Sequence, residues 1–542
     1  MVFSELVKSY YNSWFRFHPE SAVAVGVSGY EDILKPYSDD DIGALIALNK
    51  SLLSSLQELN TNSLSEDEKI DFNILYSAAS GELHELLERD WRYRNPIEFL
   101  PLNAIHQLLM RPIDNLHAAV KHRLQAIPSH LRGAKILLQQ QPELIPPVWL
   151  QSAIDQASAG VGFILNLEQH PVVLKHFSKP ERLHEIAEQA SHALNDFAVF
   201  MQRELQPLAA GDFACGKTTY ERLLKESHFI PLTTEQLYNF GSDLFEQTQA
   251  QLNQLLEGAS VQQTLDKIKA DTPPRKKLLE YYRQSMQKAL AFISEKDLLT
   301  VPQSQRLSVI ETPDFLRHEI PFAAYDEPTR TDPQQHGYYY VTLPEQAAGL
   351  AEHNKTSIDL TSVHEAYPGH HLQFSTANQI EAASSLVRVL NATSTFYEGW
   401  ALYCEELMVE QAYLKKPEHK IIMLRDRLWR ALRVMIDIDI HTRGMSIEQA
   451  AQRLCDELGF EYAQAKAELN WYSLAPTVPM SYATGWGLIK SVREILQQQT
   501  GFELKKFHDD LLSAGSVPLP LVFQSRFGDS VNTDVMNKLF PG

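Results

Sequence analysis

Apolar residues recur at spacings of three and four along most of the chain, the pattern of helices that bury one face. Between residues 39 and 88 it runs through Leu45, Leu48 and Leu52 and again through Leu53 and Leu56, and Ser65-Glu66-Asp67-Glu68 resembles a helix start. The same periodicity returns over 180–205 and 233–256, while Pro96, Pro101, Pro128 and the stretch from Pro142 to Pro147 punctuate the helices between. Between 307 and 343 the texture changes. Leu307 to Ile310, Phe322 to Tyr325 and Tyr338 to Leu343 are short β-prone runs separated by Pro, Asp and Gly, which predicts a small sheet. An exposed edge of that sheet could pair with an extended peptide, or the sheet could only brace the helices. No internal repeat or low-complexity linker interrupts the chain. The expectation is one mainly helical unit over 1–542, with its catalytic core over 300–500.

Composition changes this picture little. The 542 residues are 44% hydrophobic and 22% charged, as in an ordinary folded protein. A net charge of −19 argues against nucleic acid or an anionic membrane as partner. No run approaches the roughly 18 apolar residues of a membrane span. Met1 to Glu20 carries Tyr10, Tyr11, Trp14 and Phe15 among charges, unlike a signal peptide, so a cytoplasmic location is expected. Cys215, Cys404 and Cys455 are too scattered for a disulfide framework or a cysteine-type zinc site.

The chemistry concentrates in His364-Glu365-Ala366-Tyr367-Pro368-Gly369-His370-His371. A His followed by Glu, with another His a few residues on, is what a hydrolytic zinc site uses: two imidazoles for the metal, a carboxylate for water. In H-E-x-x-H the histidines are i and i+4, about 6 Å apart along one helix face. Here position i+4 is Pro368. Proline removes an amide donor and disturbs the turn before it, so Tyr367-Pro368 reads as a looped-out insertion. Without that pair the motif becomes His-Glu-Ala-Gly-His. This predicts a broken helix with His364 and His370 as ligands and Glu365 as general base, His371 supporting them or replacing His370 if the break is shaped differently. A Pro-Gly turn that happens to carry three histidines is the plain alternative.

Downstream, Thr395 to Met408 predicts a helix that is apolar almost all round in its first half, and Glu398 lies within that half. A buried carboxylate needs a partner. Either it is the third zinc ligand or it pairs with a nearby Arg such as Arg388.

The stretches HEAYPGHHLQ and EGWALYCEEL, with Asp437 and His441 as D-x-x-x-H and Gly515-Ser-Val-Pro-Leu519 near the C-terminus, resemble the bacterial family known as domain of unknown function 885, over nearly the whole chain. That family in turn resembles the gluzincin metallopeptidases, including the carboxypeptidase Taq and thimet oligopeptidase groups. In those peptidases H-E-x-G-H and a downstream Glu bind zinc on a largely helical zincin-like fold with a deep cleft. The two-residue insertion departs from them.

Two further groups are candidates for the developing oxyanion. Asp437 and His441 are i and i+4 on a helix closed by Gly444, so Asp437 could orient His441, and Tyr482 could donate a second hydrogen bond. Arg443 could hold a substrate carboxylate, or be structural. Gly211 to Thr218 has the spacing of a phosphate-binding loop, but Pro207 four positions earlier is a poor end for a central strand, so a helix-joining loop is expected. Together these readings predict a zinc peptidase acting on short peptides, with water on the metal deprotonated by Glu365. The rival from another class is a helical protein that binds metal or peptide without hydrolysis.

Overall fold

The computed structural model describes residues 2–541 except 313–316, 318–319, 321, 345–346 and 381–384. The chain is mainly helical, with one three-stranded sheet. In place of the single unit expected, it forms two compact units, Met1–Leu64 with Leu75–Ala214, and Ser65–Ile74 with Cys215–Gly542. No change of composition marks the division, because one crossing lies inside the continuous helix Glu66–Glu88.

The first unit is built on the helices Leu116–Leu138, Pro147–Leu165 and His184–Phe200. Leu124, Ile127, Leu131, Ala134 and Leu138 recur at helical spacing and are all fully or almost fully buried. Burying each Leu or Ile contributes about 1.5–3 kcal/mol, and Leu131→Ala would remove about 2–5 kcal/mol by leaving a cavity. The last of these helices widens into a π turn over Met201–Leu205. The loop with the phosphate-loop spacing is a connection. Gly211 donates its amide to the Ile145 carbonyl (3.0 Å), while Arg94 and Arg89 donate to the carbonyls of Asp212 (2.7 Å) and Ala214 (3.2 Å). A phosphate cradle would need amides turned inward, and arginines hold this loop by its carbonyls.

The second unit carries all the candidate chemistry. In chain order its relevant elements are α1 (Lys217–Glu226), α2 (Thr234–Leu256), β1 (Arg306–Glu311), β2 (Ala323–Asp326), β3 (His336–Val341), α3 (Lys355–Glu365), α4 (His370–Ala377), α5 (Ser394–Glu410), α6 (Pro417–Thr442) and α7 (Ser481–Leu496). The Thr233 side chain caps α2, and Gln236 reaches back to the Thr233 amide, which fixes its start. The sheet order is β1-β3-β2, with β1 parallel and β2 antiparallel to β3, and Val309 and Tyr325 both register on Tyr339. Gly399 on α5 meets Gly485 on α7 backbone to backbone. A Cβ on Gly399 would overlap the Gly485 main chain, and one on Gly485 would overlap the Thr395 carbonyl. Neither position has room for a side chain, and this close crossing sets the site described next.

Candidate metal centre

Helix α3 ends at Glu365 and α4 begins at His370. Two hydrogen bonds show what lies between. The Gly369 amide donates to the Val363 carbonyl (3.0 Å) and the Leu372 amide to the Ala366 carbonyl (3.3 Å), so each bond spans six residues where an α-helix spans four. Tyr367 and Pro368, joined by a cis peptide, are therefore looped out while helical hydrogen bonding carries on past them. The loop is pinned. Trp400 donates its indole N–H to the Pro368 carbonyl (2.8 Å), and the Tyr367 hydroxyl donates to Gln305 Oε1 (2.5 Å). At Gly369 a Cβ would overlap the His364 carbonyl, so the return into α4 needs glycine. His370 thus takes the place of the i+4 histidine, as the sequence motif predicts.

His364, His370 and Glu398 come together, each offering one atom within 4.8 Å of the others. Glu398 Oε2 stands 3.6 Å from His364 Nε2 and 3.5 Å from His370 Nε2. These separations are too long for hydrogen bonds, and Oε2 is buried without a hydrogen-bond partner. Ligands held 2.0–2.2 Å from a tetrahedral metal are about 3.4 Å apart. A buried, orphaned carboxylate oxygen between two imidazoles at that spacing is a donor set that fits a divalent metal.

The electrostatics agree with the geometry. Burial alone would raise the Glu398 carboxyl, but His370 and His364 outweigh it and hold it well below the usual carboxylate range. Burial likewise disfavours the charged form of His364, yet the neighbouring Glu398 and Glu405 carboxylates push it up to about 10. The concentrated negative charge gives the site a demand for a cation that a proton meets when no metal is bound. For Glu365, burial pushes the carboxyl up, with His364 and His370 opposing and Glu398 and Glu405 adding to the rise.

Glu405 is a residue of the candidate site that sequence reasoning missed. Its Oε1 lies 2.8 Å from His364 Nδ1, so it accepts that N–H and fixes the ring with Nε2 toward Glu398. Carboxylates in this position orient metal-binding histidines and raise their basicity. The signal was present: Glu405 follows Glu398 by two helical turns, on the same face of a buried helix.

Tyr482 is brought to Glu398 by the glycine crossing of α5 and α7. Burial, with the Glu398 carboxylate beside it, pushes the Tyr482 hydroxyl well above its ordinary value, and the Arg433 guanidinium lies 4.6 Å from its ring centre. This hydroxyl therefore stands beside a candidate ligand. His371 is committed elsewhere: Tyr325 donates to Nδ1 (3.1 Å) and Nε2 donates to Gln305 Oε1 (2.9 Å), leaving no nitrogen for a metal. Arg388, the alternative partner of Glu398, binds Asp71 (2.6 Å) and Asp67 (3.1 Å). Its Nη1 also donates to the Ala514 carbonyl, and Ser516 receives Gln373, so the Gly515 segment supports α4 from behind.

Asp437 and His441 do not act as expected. They are 3.8 Å apart, beyond hydrogen-bonding distance, and both side chains are wholly buried. Asp437 Oδ2 accepts from the Tyr220 hydroxyl (2.8 Å) and the Thr477 amide (3.1 Å), and His441 Nε2 donates to the Tyr472 carbonyl (3.0 Å). Neither belongs to the group around Glu398. Their partners tie α6 to α1 and to residues 472–477. Arg443 is structural too, paired with Glu235 (2.8 Å) and Asp439 (3.1 Å).

The model of a bacterial protein family of unknown function, DUF885, matches residues 19–525. The chain belongs to the DUF885 family. No curated protein matches it significantly. Two solved structures share the fold of this DUF885 member along its length, both of proteins named as putative lipoproteins. The one from Shewanella oneidensis, of unknown function, has a TM-score of 0.79 at 21% identity, covering 97% of this chain and 99% of its own. The one from Colwellia psychrerythraea has a TM-score of 0.80 at 19% identity, covering 99% and 98%. These names overturn the expected cytoplasmic location, which rested only on the lack of a recognisable leader. Among the described residues no helix is long and apolar enough to cross a membrane.

Proposed function

We propose that this DUF885 protein is a zinc-dependent peptidase acting on short peptides, its second unit built like the zincin-type core of the gluzincins. The observation that carries the reading is the orphaned Glu398 Oε2, held 3.5–3.6 Å from the Nε2 atoms of His364 and His370, with Glu365 next to one of them. Zinc bound by these three residues would supply Lewis-acid polarisation of a peptide carbonyl and of water. Everything else falls to the chain. Glu365, whose carboxyl burial makes more basic, takes the proton from the attacking water and returns it to the leaving amine. Glu405 holds the His364 imidazole in place, and Tyr482 stands beside the Glu398 carboxylate. His371, fixed at both nitrogens, ties the looped-out segment to β2. Strand β2 pairs with β3 on one side, and its Tyr325 stacks on His370 at 6.3 Å between ring centres, so an extended peptide laid along its outer edge would run beside the ligands.

Glu365→Gln tests the reading directly. It removes the base and spares the three ligands, so zinc should stay at about one per chain while turnover of a short-peptide library falls about 10²–10⁴-fold. A variant that retains both metal and full activity would sink the proposal, and zinc-loaded wild type that binds peptides without cleaving them would sink it equally.

A further inference from the structure

The helices around the candidate centre are buried almost throughout, and the few side chains that reach its opening are of two kinds. From Ser362 to Ser375 only Glu365 and Phe374 are half-buried, from Thr393 to Glu405 only Tyr397 and Glu398, and from Ser481 to Ile489 only Tyr482. Glu365 and Glu398 are the proposed base and one proposed ligand. The others are aromatic, and Tyr325 on β2 is half-buried as well.

Three of these rings form one surface with His370. Phe374 follows His370 by one turn on the same face of α4, and its ring centre lies 6.2 Å from that of Tyr325 and 5.7 Å from that of Tyr397. The Tyr325 and Tyr397 rings lie 6.3 and 6.2 Å from that of His370. A tyrosine at an opening can turn its hydroxyl to water. Phe374 has no polar atom, so its half-buried ring forgoes burial that an apolar occupant would restore.

Strand β2 indicates which occupant arrives. The Thr342 amide donates to the Phe322 carbonyl (2.7 Å), which makes these two a hydrogen-bonded pair of the antiparallel ladder. By alternation Ala324 and Asp326 bond inward to β3, while Ala323 and Tyr325 turn their amides and carbonyls to the outer edge, where no described strand pairs with them. A peptide added there bonds to the main chain of Tyr325, and its residue opposite Tyr325 places its side chain on the same face of the sheet as the Tyr325 ring. That side chain meets the wall completed by Phe374 and Tyr397.

We propose that Tyr325, Phe374 and Tyr397 form a subsite for one large apolar or aromatic side chain of the peptide, next to the bond that is cut. The inference rests on the peptidase reading for its occupant and adds the side chain that is selected. A Lys or Arg side chain is the rival, because the exposed Glu327 carboxylate acts on the hydroxyls of both tyrosines. Phe374, the middle ring, gives such a group no hydrogen-bond acceptor, which favours the apolar occupant.

The test uses the full-length protein and blocked alanine peptides in which each position in turn is Phe, Leu or Lys. Binding is measured by titration calorimetry on Glu365→Gln, which keeps all three rings, and turnover of the same peptides on wild type. The expected result is one position at which Phe or Leu binds about 10–100-fold more tightly than Ala, a preference that collapses when Phe374→Ala is added and largely survives Phe374→Leu. Equal affinity at every position, no binding of any peptide, a preference for Lys, or a preference unchanged by Phe374→Ala would overturn the proposal. The peptide series with the rings intact decides the matter even where Phe374→Ala does not fold. The two readings fail separately: selective binding without turnover by metal-loaded wild type sinks the peptidase and leaves the side-chain subsite standing, and turnover without side-chain preference does the reverse.

Discussion

Two buried histidine–carboxylate clusters lie in the second unit, and they differ in where their polar atoms point. At His364, His370 and Glu398, two imidazole nitrogens and one carboxylate oxygen converge without hydrogen-bonding one another. At Asp437 and His441 the side chains are neighbours on one helix face, yet their hydrogen bonds run outward to Tyr220, Thr477 and the Tyr472 carbonyl. Asp437 Oδ1, like Glu398 Oε2, is buried without a hydrogen-bond partner, but among the described residues only the first cluster gathers three ligand atoms on a common point, while Asp437 Oδ2 and His441 Nε2 hold elements together. Both are buried pairings of imidazole with carboxylate, and convergence of three ligand atoms separates the candidate metal centre from the structural joint.

The largest expected effect sets the two clusters against each other through metal content. Glu398→Ala should lower zinc from about one per chain to none, because the remaining two imidazoles are too few for a closed structural or catalytic set. His441→Ala should keep the metal content of wild type and instead cost about 1–3 kcal/mol of stability, since it removes a buried ring and its hydrogen bond to the Tyr472 carbonyl. Mass spectrometry for metal, beside a thermal melt, reads both. If His441→Ala loses zinc while remaining folded, the division between the clusters is wrong.

A smaller effect sharpens the picture at the convergent site. Glu405→Gln keeps the shape of the side chain but removes the charge that holds the His364 N–H at 2.8 Å. Zinc affinity should drop about 10–100-fold, the usual consequence of losing such an orienting carboxylate. Competition against a chelator measures it. An unchanged affinity would mean that the packing around His364, not Glu405, sets the ring.

How much of this was legible in sequence depends on the range of the interaction. The helical periodicity, the small sheet over 307–343 and the break at Tyr367-Pro368 are local, and each follows from residues within a few turns of one another. The place of Tyr482 beside Glu398 was not legible, because it depends on Gly399 and Gly485, far apart in the chain, letting two helix backbones touch. The Asp437–His441 reading failed for the same reason. An i, i+4 pair promises a contact on the helix surface, but Tyr220 and the Thr477 amide reach Asp437 from other elements and outbid the neighbour on its own helix. The division into two units left no compositional mark, since the chain crosses it inside a regular helix.

The remaining effect concerns the outward-bonding cluster and its dependence on pH. Burial pushes the Asp437 carboxyl up from 3.8 to about 8, against the lowering effect of its hydrogen bonds from Tyr220 and from the Met480 and Thr477 amides. The folded protein therefore keeps a proton that the unfolded chain has already released. Between pH 4 and pH 8 the native state binds more protons at this position, so the contribution is fully present below about 4 and is lost as pH rises through the folded value. Asp437→Asn has no proton to release, and its amide oxygen can still accept from Tyr220 and Thr477. Melting curves at pH 5, 6.5 and 8 should show the variant gaining on wild type at each step up. Parallel curves across that window would mean that Asp437 is ionised in the folded protein at neutral pH. The joint would then have to hold a buried negative charge, and its chemistry would move closer to that of the convergent site.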